Sequence, residues 1–194
     1  MTGAELAVML FVAGSLSPTR VIAAAPYLFA FVSCVIAWVG SRGAPHRMKF
    51  SAALTMLEAA LLLDAVFNGR VRVHSLLDSE VIARNMYDQR FGPQYAALVL
   101  LAIAVVGGVG LVFRLFRGRP GACLAAFGCI LSLCFWCIEV VSLHSVDSFL
   151  YHRVSGVMRI SAARAVFALM TCVGILWDVF AARADVGTGS SIIP

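Results

Sequence analysis

The sequence predicts an all-α integral membrane protein: a helical bundle of about five transmembrane helices plus a surface amphipathic helix. Of the 194 residues, 61% are hydrophobic and only 13% are charged, whereas soluble domains carry roughly 25% charged residues. The apolar residues form runs of about 20, the length that crosses a bilayer as a helix. Short basic or Gly/Pro-containing breaks separate these runs, which predicts one helical domain over residues 1–185 and a disordered Gly/Ser-rich tail over 186–194.

The first apolar stretch, residues 5–16, is too short to cross a membrane alone. Pro18 separates it from the next run, because proline interrupts a helix. We therefore expect an interfacial or re-entrant helix, with a sixth span as the alternative. No basic cluster precedes the stretch, which argues against a secretory signal peptide.

Five segments approach the length of a transmembrane helix, and they differ in polarity. The first and third contain no charged residue. The second contains Glu58 and Asp64. The fourth contains Glu139, and the fifth contains Arg164 and Asp178. The predicted spans are residues 21–40, 50–67, 95–113, 123–143 and 160–182.

Between the second and third spans, residues 71–91 alternate apolar and charged residues at helical spacing. This pattern is typical of an amphipathic helix that lies on the membrane surface. Arg84 is four residues from both Glu80 and Asp88, so these oppositely charged side chains would be neighbours on the helix.

The basic residues indicate an orientation. Arg42, Arg47 and Lys49 crowd one short connection, and a trio of arginines occupies the segment 114–119. Short basic loops usually face the cytoplasm, which predicts an N-terminus on the outside. Because the net charge of +5 sits between apolar runs, we expect the lipid bilayer as a partner and no nucleic acid.

Glu58 lies inside the second span, where a charged side chain costs about 2.5 to 3.5 kcal/mol on the insertion scale. One interpretation is a proton or cation relay, or a site carboxyl that faces the bundle interior. The other is a protonated glutamate that hydrogen-bonds to a neighbour and holds the bundle together. The sequence leaves both open.

A second polar group, formed by Glu139, Ser142, His144 and Asp147, marks the outer end of the fourth span. His144 and Asp147 are three residues apart, so on a helix the carboxylate could orient the imidazole. Metal sites usually take three or four ligands, and the chain has only four histidines. We therefore predict no metal and identify no cofactor. A polar helix end that caps backbone groups is the alternative.

A third polar group contains Arg84, Tyr87, Arg90 and Gln94, around the end of the surface helix. Two guanidinium groups could hold a phosphate, a carboxylate or a lipid head group. Ordinary interfacial anchoring is the alternative, since Tyr and Arg are common at that depth.

The predicted orientation places Asp64, Glu139 and Asp147 in the same outer layer as these arginines. We expect buried ion pairs among them, because pairing offsets the loss of hydration.

Small residues within the spans predict close helix packing. The cysteines Cys134 and Cys137 have the spacing of a redox pair, but their apolar setting favours a packing role. Glycines in the third and fourth segments should likewise let helices approach; they are Gly107, Gly108, Gly110, Gly121 and Gly128.

The order Glu58, Tyr87-Asp-Gln-Arg90, Gln94 and Ser142-Leu-His-Ser-Val-Asp147 resembles a pattern of uncharacterised small bacterial inner-membrane proteins. The resemblance touches scattered residues between positions 58 and 147. It implies a location in the bacterial inner membrane and no particular activity. It also favours treating these polar residues as one network.

Three function classes follow. The favoured class is a non-enzymatic accessory or assembly subunit, with protein partners in a membrane complex or a homo-oligomer, since no complete catalytic motif is visible. The first alternative is a small proton-coupled transporter or channel that uses Glu58 and Asp64. The second is a membrane enzyme or cofactor binder built on Glu139, His144 and Asp147.

Overall fold

The computed structural model describes residues 18–83, 91–141, 150–154 and 157–189. These residues form an all-helical bundle, which confirms the predicted fold class. A short antiparallel pairing of two-residue segments, β1 (Arg153–Val154) with β2 (Val157–Met158), precedes the last helix. The helices are α1 (Pro18–Gly40), α2 (Pro45–Phe67), α3 (Gly69–Ala83), α4 (Phe91–Leu115), α5 (Pro120–Val141) and α6 (Arg159–Gly189).

Four helices are long and apolar enough to cross a membrane: α2, α4, α5 and the segment Arg159–Ala184 of α6. In α1 the apolar part Ala24–Gly40 is shorter, so a fifth span at α1 stays a prediction. α1 packs along both α2 and α6. It therefore belongs to the body of the bundle.

Other predicted segments fall partly or wholly outside the described residues. The interfacial helix at 5–16 lies outside them. The surface helix at 71–91 corresponds to α3 up to Ala83, and residues 84–90 lie outside. α6 continues to Gly189, so it includes the first residues of the predicted tail.

Proline and asparagine fix the ends of several helices. α1, α2 and α5 each begin with a proline, which suits a first turn because its missing N–H would have no partner there. α2 ends at Asn68, which adopts a left-handed conformation with φ of 52° and donates its N–H to the Asp64 carbonyl at 2.8 Å. Asparagine tolerates this conformation better than most residues. The chain therefore turns at one residue from α2 into α3.

The core consists of two layers of mostly small side chains from α1, α2, α5 and α6. One layer lies toward the end of the bundle where α2 ends and α6 begins, and the other lies toward the opposite end. The first layer contains Tyr27, Ala30, Leu61, Ala65 and Ala168. The second contains Cys34, Ala37, Leu54, Ala125, Cys129 and Ile175.

Glycines let α5 and α6 approach closely. A Cβ atom at Gly121 would lie 2.5 Å from the Asp178 nitrogen, and one at Gly128 would lie 2.7 Å from the Phe167 carbonyl oxygen. The packing prediction is confirmed at these two glycines. Gly174 on α6 faces the same contact, and the sequence had not singled it out.

The glycines of α4 behave differently. A Cβ atom at Gly108 would meet Ile130 at 3.6 Å, but at Gly107 and Gly110 no atom lies within 4 Å. Among the described residues no helix approaches these two positions closely, so the packing prediction stays a prediction there. The reason is that α4 packs on α5 along one side, and both glycines lie on its exposed side.

Candidate functional site

Two carboxylates and two guanidinium groups meet at the end of the bundle where α2 and α5 end and α6 begins. Asp64 Oδ2 lies 3.0 Å from Arg70 Nη1, and Glu139 Oε1 lies 3.2 Å from Arg70 Nε. Arg164 Nη1 lies 3.7 Å from Asp64 Oδ2, and its Nη2 pairs with Glu139 Oε2. Acid and base alternate around a closed circuit. We call these four residues the ion-pair ring.

The turn at the end of α2 positions two members of the ring. Asp64 Oδ1 accepts a hydrogen bond from the Arg70 backbone N–H at 2.7 Å, near the start of α3. An N–H in the first turn of a helix has no partner within that helix, so Asp64 caps α3 while it pairs with the Arg70 side chain. A Cβ atom at Gly69 would lie 3.2 Å from the same oxygen. The intervening glycine therefore lets the carboxylate reach α3.

The ring is buried, most deeply on the side of α5 and α6. The exposed fraction of the side chain is 1% for Glu139, 3% for Arg164, 9% for Asp64 and 17% for Arg70. Buried charges are costly unless they are paired and hydrogen-bonded. With two negative and two positive members, the formal charge of the ring is zero. Its arrangement therefore suits a cross-link between α2, α3, α5 and α6.

Polar side chains also tie the C-terminal end of α5 to its neighbours. His74 Nδ1 lies at hydrogen-bond distance, 3.2 Å, from the Val140 carbonyl, and Gln94 Nε2 donates to the Val141 carbonyl at 3.3 Å. These carbonyls lie in the last turn, where a helix provides no partner. Tyr151 donates to Glu139 at 3.5 Å. α3, α4 and the segment before α6 thus converge on the ring end of the bundle.

Glu58 lies deeper in the bundle, on α2, and is 0% exposed. Neither of its carboxyl oxygens has a hydrogen-bond partner within the described part of the chain. Cys129 on α5 and Thr171 on α6 lie beside the carboxyl group, but the Thr171 hydroxyl donates to the Phe167 carbonyl at 3.3 Å. Glu58 is therefore a buried acid without a counter-ion among these neighbours.

At the opposite end of the bundle, Asp178 on α6 binds two arginines. Arg119 Nε donates to Asp178 Oδ1 at 3.0 Å, and its Nη2 pairs with Oδ2. Arg47 Nη1 lies 4.0 Å from Asp178 Oδ2 and donates to the Asp178 carbonyl at 3.5 Å. The Arg119 guanidinium also lies 5.9 Å from the Phe50 ring centroid and 5.8 Å from that of Phe116. We call this end, with the connections 41–44 and 116–119, the basic end.

The structure brings some of the predicted site residues together. Asp64 and Glu139 both belong to the ion-pair ring, Gln94 binds the end of α5, and Glu58 stands apart from the ring. Among the described residues, the arginines that pair with the two acids are Arg70 and Arg164, whereas the pairing expected with Arg84 and Arg90 falls outside the described part and stays a prediction. Six predicted residues lie outside the described part: Arg84, Tyr87, Arg90, Ser142, His144 and Asp147.

Sequence reasoning did not assign Arg70 to the site, nor Arg164 as a partner of the two acids. Arg70 follows Asp64 by six residues, a spacing that separates two side chains on a continuous helix. The turn at Asn68 removes that separation. Recognising Asn68-Gly69 as a helix end would have placed Arg70 beside Asp64.

Among the described residues, no group of three or more His, Cys, Asp or Glu side chains could hold a metal ion. No protein-family model matches the sequence, and comparisons with curated proteins and with solved structures give no significant match. The geometry of the chain itself is therefore the basis on which a function is inferred.

Proposed function

We propose that this chain is a non-enzymatic accessory or assembly subunit of a larger complex in the bacterial inner membrane, and that α4 packs against a transmembrane helix of another subunit. The observation that carries this proposal is the exposure of Gly107 and Gly110. Both glycines lie in the middle of an apolar helix, and no atom of the residues that the structure describes lies within 4 Å of the position of a Cβ.

Glycine destabilises a helix when it lies in the middle of it. It costs about 1 kcal/mol relative to alanine, and in membrane proteins small residues are enriched where helices approach closely. Gly121, Gly128 and Gly174 fit this rule, because each lies against the backbone of a neighbouring helix. By the same rule, the exposed pair Gly107 and Gly110 suits a helix that the described part of this chain does not supply.

The weak attachment of α4 supports the same proposal. Of its 25 residues, Val112 is the one that is buried, and α4 packs mainly on α5. Large apolar side chains surround the exposed glycines: Ile103, Val106 and Leu111 are each more than half exposed. Lipid chains can cover such a surface, but lipid gives no reason for glycine at its centre.

The ion-pair ring also favours a structural role over catalysis. Asp64 and Glu139 are both paired with arginine, which leaves neither carboxylate available as a free base. The enzyme alternative depends further on His144 and Asp147, which lie outside the described residues. The alternative of a small transporter or channel would have to rely on Glu58, because Asp64 is ion-paired within the ring.

The proposed orientation follows from the charges. The connections 41–44 and 116–119 lie at the same end of the bundle, because Arg47 and Arg119 both contact Asp178 there. The positive-inside rule assigns this basic end to the cytoplasm and the ring end to the outside.

Site-specific photo-crosslinking in native membranes tests the proposal. A photoreactive amino acid replaces Val106, which is 73% exposed beside the two glycines, or Met56, which is 76% exposed on α2 and serves as the matched control. We expect a discrete crosslinked band from position 106 and none from position 56. Mass spectrometry of that band should identify a different membrane protein.

Three results would contradict the proposal. Equal crosslinking from both positions would mean that α4 has no special contact. Lipid adducts alone at position 106 would mean that its exposed face lies in the bilayer. A band that contains two copies of this chain would indicate a homo-oligomer in place of a subunit of a larger complex.

A further inference from the structure

Two buried side chains with hydroxyl groups, Tyr27 and Ser132, lie in the part of the bundle between Glu58 and the ion-pair ring. Tyr27 on α1 is 1% exposed, and its hydroxyl faces Ser132 on α5. Tyr27 belongs to the core layer toward the ring end, and Ser132 lies on α5 between Cys129, which is beside Glu58, and Glu139 of the ring. Tyr27 and Ser132 therefore stand between the unpaired acid and the ring.

Ser132 and Glu58 share an unusual property. Both are buried, and neither the Ser132 hydroxyl nor the Glu58 carboxyl makes a hydrogen bond of normal geometry with a described residue, although Tyr27 lies near Ser132 and both Cys129 and Thr171 lie near Glu58. Buried polar groups normally make hydrogen bonds, so two buried side chains without them require an explanation. An exchangeable proton and transient water would satisfy them, because a hydroxyl both donates and accepts.

Among the residues that the structure describes, the groups beside Glu58 offer no positive charge to balance a carboxylate. They are Tyr27 and Cys34 on α1, Cys129 on α5 and Thr171 on α6. The nearby guanidinium of Arg164 is already engaged by both acids of the ring. An isolated carboxylate in such surroundings is far more costly than a neutral carboxylic acid.

Toward the basic end lies the buried layer that includes Cys34, Leu54, Ala125 and Ile175, none of which carries a hydroxyl, and the buried Ser51 lies further along α2. Thr55 lies in that direction, but its hydroxyl donates to the Ser51 carbonyl at 2.8 Å. The unpartnered hydroxyl of Ser132 therefore favours a connection from Glu58 toward the ring end.

We propose that Glu58 is a proton-binding site that exchanges its proton with the ring end of the bundle through Ser132 and Tyr27. In this exchange a hydroxyl oxygen accepts the carboxyl proton and releases its own proton to the next acceptor, so no group is oxidised or reduced. The site is independent of α4 and does not depend on the proposed role as an accessory subunit.

Infrared spectroscopy of the purified protein in lipid vesicles tests this site. A protonated carboxyl group gives its own carbonyl band, which shifts when heavy water replaces the proton with deuterium. We expect the band in the native chain and its loss in Glu58→Gln. A persisting band in that variant, or no band in the native chain, would overturn the proposal.

The time course of the deuterium shift tests the route. Tyr27→Phe and Ser132→Ala should each slow the exchange by about tenfold. The matched controls are Tyr95→Phe, at an exposed tyrosine of α4, and Thr55→Val, on the other side of Glu58; neither should slow it. Unchanged exchange in Tyr27→Phe and Ser132→Ala, or equal slowing in the controls, would refute the route.

A second measurement keeps the test valid if Glu58→Gln does not fold. Dicyclohexylcarbodiimide is an apolar reagent that modifies protonated carboxyl groups, and peptide mapping of the treated native chain locates the adduct. We expect modification at Glu58 and none at Glu139, whose carboxylate is ion-paired. Modification at Glu139 with Glu58 unmodified would overturn the proposal.

Discussion

Replacing Arg164 with methionine leaves the two carboxylates of the ion-pair ring with a single guanidinium between them. Methionine retains most of the length and apolar stem of arginine, so the change removes chiefly the charge. Arg70 still contacts Asp64 at 3.0 Å and Glu139 at 3.2 Å, but the ring then carries a net charge of −1 by formal count. This charge is buried, because Glu139 is 1% exposed.

The expected loss of stability follows from that burial. Removing one partner from a buried ion pair typically costs about 3–5 kcal/mol, because the remaining charge stays buried without compensation. We expect Arg164→Met to fall in this range. Arg70→Met makes the same formal charge change at a side chain that is 17% exposed, where water can replace part of the interaction. Its cost should be smaller, about 1–3 kcal/mol.

The free energy of unfolding can be measured in mixed micelles by titration with sodium dodecyl sulfate, followed by circular dichroism. The double variant Glu139→Gln with Arg164→Met restores a neutral ring of Asp64 and Arg70. It should therefore be more stable than the sum of the two single losses predicts, with a coupling of at least about 1 kcal/mol. A cost below about 1 kcal/mol for Arg164→Met, typical of surface pairs, would refute the argument from buried charge.

Three further predictions concern other parts of the bundle and use the same titration. Gly121→Ala should destabilise the isolated chain by about 1–3 kcal/mol, because the added methyl group overpacks the contact with α6. Gly107→Ala should stabilise the isolated chain by up to about 1 kcal/mol, because alanine is the better helix former. Effects of the same sign in the two variants would contradict the assigned contacts. Asp178→Asn should lower the free energy of unfolding by about 1–2 kcal/mol. This loss should be smaller than the loss in Arg164→Met, because water partly hydrates the Arg119 side chain. An equal or larger loss would contradict this reasoning. Asn68→Gly should be nearly neutral and Asn68→Val should cost about 1–2 kcal/mol; equal effects would indicate that the left-handed turn is not needed.

The sequence predicted the fold class because hydropathy and span length are local properties of the chain. The exact partners of the polar residues depend on how distant helices face one another, which local patterns do not record. Asp64 and Glu139 were expected to form ion pairs because buried acids need compensation, and each does so with arginine. The identity of those arginines depends on the turn at Asn68 and on the close contact of α5 and α6.

Glycine shows the same limit of local reasoning. The small residues of the third and fourth segments predict close helix contacts equally well. The structure distinguishes them by their surroundings: Gly121 lies against α6, whereas Gly107 lies on the exposed side of α4. A residue type can therefore predict a contact without showing which helix makes it.

The ion-pair ring joins residues that the ribosome synthesises at very different times. At about 5–20 residues per second, the chain reaches Arg164 several seconds after Asp64. Helix α2, with Glu58 and Asp64, is therefore synthesised before its neighbours on α6 exist. We expect the insertion machinery to retain the first helices until α6 emerges. The ring can close only once α6 has been synthesised, and a nascent protein that stops before α6 lacks Arg164 and leaves both acids with a single guanidinium.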